Sequence, residues 1–93
     1  MTRTDDELLA LAAKAGGIDT AKPWNPLTDD GDALRLAVKL GLLVDVNLRG
    51  KYINAMGGPQ TKFVDVTTEY AEDANAATRR AIVEAAAQIG MQS

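Results

Sequence analysis

At Gly41 the hydrophobic period of this chain changes. Before it, Leu34, Ala37 and Val38 share one helical face, widened by Ala33, Leu36 and Leu40, while Asp32, Arg35 and Lys39 leave only a narrow polar stripe. After it, Leu42, Val44, Val46 and Leu48 alternate with Leu43, Asp45, Asn47 and Arg49, the two-residue repeat of a half-buried strand. One glycine therefore separates a helix, predicted over Asp30–Leu40 and capped by Thr28 or Asp29, from a strand beginning at Leu42. The wide apolar coverage of the helix predicts burial between layers or against a partner.

The flanking segments fill in the order. Thr4 and Glu7 have the spacing of a capping box, and Asp5, Asp6 and Glu7 suit the positive end of a helix. Leu8, Leu11, Ala12 and Ala15 give that helix, Asp5–Ala15, its apolar stripe, and Gly16-Gly17 end it. Pro23-Trp24-Asn25-Pro26 forbids helix and reads as an ordered loop. Arg49-Gly50 marks a turn, Lys51–Met56 a weaker strand, Gly57-Gly58-Pro59 a second break, and β-branched Thr61–Thr67 a third strand. Short connections between successive strands imply an antiparallel meander. A last helix is predicted over Glu72–Ile89, stopped by Gly90, with Ala74, Ala77, Ala81, Ile82, Ala85 and Ile89 as its buried stripe. Its many alanines allow close approach to a sheet, and the two isoleucines anchor it.

The expected architecture is α+β: one domain over residues 1–93, a small layered sandwich of order helix-helix-strand-strand-strand-helix, with a three-stranded antiparallel meander covered by helices. Its core is thin. Sixteen of the 93 residues are Ala, and Leu, Ile, Val and Phe together number only 21.

Composition narrows the chemistry. There is no Cys and no His, and the single Ser is Ser93. Thiolate and disulfide chemistry, the Ser-His-Asp triad and nearly all zinc sites are thereby removed, and no cofactor is expected. The acidic N-terminal run and the lack of a long apolar stretch predict a soluble cytoplasmic protein with no membrane partner.

Two stretches carry a resemblance. Trp24-Asn25-Pro26-Leu27-Thr28-Asp29-Asp30-Gly31-Asp32, continuing through Ala33-Leu34-Arg35-Leu36-Ala37-Val38-Lys39-Leu40, and the Ala-rich run from Ala76 to Gly90 that contains Arg79-Arg80, together resemble the phage alpha-beta-alpha sandwich domain, a family of small bacteriophage and prophage proteins. The resemblance implies a layered fold and a phage or prophage origin in a bacterial host cell. It implies no reaction and no catalytic residues, and residues 45–67 do not contribute to it. The helix, three-strand, helix order is also that of a double-stranded RNA-binding domain. Such domains set basic residues at the start of the last helix. Here that stretch reads Glu69-Tyr70-Ala71-Glu72-Asp73.

The candidate binding residues are Trp24, Asn25, Asp29, Asp30, Asp32, Arg35, Arg79 and Arg80. Asp29, Asp30 and Asp32 around Gly31 suggest an oxygen-ligand loop, but the twelfth position, Leu40 or Gly41, lacks the required Glu, so no metal is expected and helix capping is the simpler reading. Trp24 is either the largest core anchor or an exposed binding anchor. Arg35, Lys39, Arg79 and Arg80 could meet phosphate, yet a net charge of −3 argues against nucleic acid. The reading that remains is a non-enzymatic protein-interaction module, directed at a host or phage protein. The alternatives are a nucleic-acid contact protein and a small-ligand or divalent-cation sensor built on the Asp cluster. A homodimer interface would also complete so thin a core.

Overall fold

The computed structural model describes residues 3–59 and 62–92. The elements follow the predicted order: α1 (Asp5–Gly16), α2 (Asp30–Leu40), β1 (Leu42–Asn47), β2 (Tyr52–Gly57), β3 (Val64–Glu69) and α3 (Ala74–Met91). The strands form one antiparallel sheet in the order β1-β2-β3. Val46 lies opposite Ile53 in the first pair, and Ala55 opposite Val66 in the second.

α3 is the centre of the molecule. It touches all three strands and both other helices, while α1 packs on α3 and the flank of α2 rather than on the sheet. A helix in that place must be apolar on most of its surface. Accordingly Ala77, Ala81, Ile82, Val83, Ala85, Ala86 and Ile89 are all buried. Against the sheet they meet Ile53, Ala55, Val64 and Val66, all on one face. The opposite face carries Asp45, Asn54, Asp65, Thr67 and Glu69. There Asn54 Nδ2 donates to Asp65 Oδ1 at 2.6 Å and to Thr67 Oγ1 at 3.1 Å.

The starts of α1 and α2 are built as the sequence predicts. Thr4 and Glu7 form the capping box of α1. Asp29, rather than Thr28, caps α2, and Asp73 caps α3 through the Ala76 N–H. Gly41 turns α2 into β1 with a left-handed backbone, φ 67°, which a side chain would strain.

Several expectations are corrected. Gly90 does not stop α3. The helix continues to Met91, and Gly90 is buried against α1, where a Cβ would collide with the Leu11 carbonyl oxygen. It admits the α1 backbone at Leu11, a role its sequence context does not distinguish from a terminator. α3 begins at Ala74 rather than Glu72 because Asp73 is the cap. α1 includes Gly16. β2 and β3 are each displaced toward the C-terminus, to Tyr52–Gly57 and Val64–Glu69; Thr61 lies outside the described residues. β1 ends at Asn47, whose Oδ1 accepts the Gly50 N–H at 2.6 Å, so Leu48 falls in the turn and is exposed. The core face of α2 is Ala33, Leu36, Ala37 and Leu40, and Leu34 and Val38 turn outward instead.

Candidate functional site

The Pro-bracketed loop is held by its own polar groups. Asp32, in the first turn of α2, accepts the Asn25 N–H at Oδ2 (2.9 Å) and Arg35 Nη2 at Oδ1 (2.7 Å). Asn25 in turn accepts the Leu27 N–H on its side chain (3.0 Å), and its carbonyl accepts the N–H groups of Thr28 and Asp29. Asp29 Oδ1 takes the Asp32 N–H at 3.0 Å. The loop therefore closes into a knot in which every acidic group has a structural donor. The Asn25 N–H first, and the Arg35 guanidinium second, hold the Asp32 carboxyl below its usual range. Trp24 is half-buried and packs on the core edge, between the two roles proposed for it.

Arg79 joins this knot from α3. Its Nε donates to the Leu27 carbonyl at 2.8 Å and its Nη1 to Asp30 Oδ1 at 2.6 Å. Seven of the eight candidate residues, Trp24, Asn25, Asp29, Asp30, Asp32, Arg35 and Arg79, thus gather where the loop meets α2 and α3. Arg80 points elsewhere, to Asp5 of α1 (3.1 Å) and Glu84 (3.3 Å). There it borders a second hollow of about 650 Å³ between the start of α1 and the end of α3. Among the described residues no group of three or more acidic side chains could hold a metal ion, and no buried side-chain polar atom lacks a partner.

Beside the knot lies an apolar groove of about 370 Å³ between α2, β1 and the start of α3. Leu34, Ala37, Val44, Val46, Leu48 and Ile82 line it, and Asp30 and Arg79 border it. Ala37 and Ile82 are buried at its floor, but Leu34 is 64% exposed, Val46 46% and Leu48 69%, and Val38, one turn along α2 from Leu34, is 73% exposed. Single exposed apolar side chains are ordinary, whereas a contiguous set marks an interaction surface. Reasoning from motifs passed over these residues because it looked for polar chemistry. The signal that could have found them was the apolar arc of α2, wider than one covering layer can bury.

Comparison of the chain with protein-family models, with curated proteins and with solved structures finds no match. Among the described residues no helix is long and apolar enough to cross a membrane.

Proposed function

We propose that this chain is a non-enzymatic protein-interaction module, of phage or prophage origin, whose working surface is the groove between α2 and β1. One observation carries the reading: Leu34, Val46 and Leu48 stand exposed together around a hollow that their own fold leaves unfilled, with Val38 exposed one turn further along α2. The polar candidates support the groove by fixing the loop and the start of α2 at its border. Arg35, Arg79 and Arg80 each face a carboxylate, which weighs against phosphate as the partner.

The test is affinity capture from bacterial lysate, with and without nuclease, using the wild-type chain and a Leu34→Lys/Val38→Lys variant. A protein retained after nuclease by the wild type and lost by the variant supports the module. Loss of every partner on nuclease treatment moves the assignment to nucleic acid. Equal capture by both chains removes the groove from the function.

A further inference from the structure

We infer that the groove's occupant is a second copy of the chain, its β1 paired antiparallel with the first across a two-fold axis at Val44. Two three-stranded sheets then become one of six strands. The inference rests on the reading of the α2–β1 surface as a protein-binding one, and names the partner.

The backbone sets the geometry. The Lys51 carbonyl accepts the Tyr70 N–H at 3.1 Å, so the next N–H, that of Tyr52, turns the opposite way, toward β1. Alternation along the register then directs Tyr52, Asn54 and Met56 to Asn47, Asp45 and Leu43. The peptide groups of Leu42, Val44 and Val46 consequently point outward, and among the described residues no strand pairs with them.

The two sheet edges are treated differently. Natural edge strands are commonly blocked by charge, proline or a bulge. The outer edge of β3 carries Asp65 and Glu69, both exposed. β1 has neither proline nor a basic residue and carries a single charge, Asp45, on the same open face as Asp65 and Glu69. On the other face the exposed Leu34 and Val46 line the groove beside the edge. Such an edge is left fit for pairing.

Charge then selects the partner and the register. In a head-to-tail arrangement β1 would lie on the β3 of the next molecule, setting Asp45 against a strand that carries Asp65 and Glu69, and the contact would not close. Pairing β1 with β1 closes. With the helices of both copies on one side, the axis falls at a residue, and Val44 and Asp45 are the two that pair most of β1 with its copy. An axis at Asp45 sets two carboxylates directly opposite each other in a non-hydrogen-bonded pair, where Cα atoms are about 4.5 Å apart. An axis at Val46 runs the pairing into the Leu48–Lys51 turn. An axis at Val44 joins Leu42 to Val46, Val44 to Val44, and sets Leu43 beside Asp45, with every hydrogen bond inside the strand. The groove-lining Leu34 of each copy then lies beside the new seam.

Sedimentation velocity on the full chain, from micromolar to millimolar concentration, tests this. The expected mass is that of two chains rather than 9.8 kDa. Val46→Lys, which puts a charge on the inner face at the seam, and Val44→Pro, which removes an outward N–H without touching the β2 ladder, each weaken association at least tenfold while circular dichroism stays unchanged. Thr67→Lys at the β3 edge leaves the dimer intact. A wild-type chain of single mass at every concentration overturns the inference, as does a Val46→Lys variant that folds and still dimerises. If the wild type is monomeric but Leu34→Lys/Val38→Lys still abolishes capture of another protein, the dimer falls and the interaction module stands. If capture is also unaffected, both fall.

Discussion

Arg79 in α3 and Asp30 at the start of α2 are 49 residues apart in the chain, yet their side chains meet at 2.6 Å. The same guanidinium holds the Leu27 carbonyl. The two contacts are unequal. The Asp30 side chain is 74% exposed, so that ion pair is screened. The Arg79 side chain is only 18% exposed, and its bond to Leu27 spans a sheltered seam. Asp30→Ala is therefore expected to cost about 0.5–1 kcal/mol, from the pair and the helix dipole. Arg79→Met should cost about 1.5–3 kcal/mol, the range for a hydrogen bond from a charged group. Urea titration of both variants checks the order; a larger loss for Asp30→Ala would contradict it.

Asp32 makes the loop pH-dependent. Its folded pKa lies below the ordinary value because the charged form accepts the Asn25 N–H and Arg35. A depressed carboxyl contributes stability that is complete above its unfolded pKa, near 3.9, and is lost as pH falls through the folded value. Asp32→Asn should lower stability at neutral pH and reduce the loss seen on acidification below about pH 4. Thermal melts of both chains across that range measure it, and parallel pH profiles would contradict it.

Gly90→Ala is expected to destabilise, although alanine is the better helix former. Its Cβ would lie 2.9 Å from the Leu11 carbonyl carbon, so α1 and α3 must separate. Overpacking of this kind costs about 1–3 kcal/mol, with Tm falling ~4–8 °C for each kcal/mol in a domain of this size. Calorimetry showing an unchanged or raised Tm would remove the close approach.

The two sides of α2 should answer differently to substitution. Leu36 is 1% exposed, and Leu36→Ala should cost about 2–5 kcal/mol. Leu34→Lys and Val38→Lys should each stay within about 0.5 kcal/mol of wild type, since both side chains already face outward in the single chain. Denaturation at low protein concentration reads this without a contribution from association.

Much of the fold was legible in the sequence. Asp30–Leu40 is found with both ends as predicted, because an Asp cap and a glycine in the left-handed region bound an unbroken period. The capping box at Thr4–Glu7 was equally plain. Gly90 misled because a glycine that ends a helix and one that admits a neighbouring backbone look alike until the neighbour, Leu11, is in place. The polar site was legible only as composition. Asp29, Asp30 and Asp32 stand close in sequence, and the donors to Asp29 and Asp32 are local, but Arg79, the donor to Asp30, is brought by the tertiary fold. The groove was half visible: the arc of α2 announced surplus apolar surface, while its position beside an open strand edge required the sheet order.

The central claim, that the outer edge of β1 is a pairing edge, is most directly tested by amide hydrogen exchange at Leu42, Val44 and Val46 as the protein is diluted. These three N–H groups point away from β2, so within one chain they have no ladder partner among the described residues. Slow exchange at high concentration that becomes fast on dilution, while Leu43 and Asp45 stay protected throughout, is the predicted result. Fast exchange at Val44 and Val46 at every concentration would contradict it.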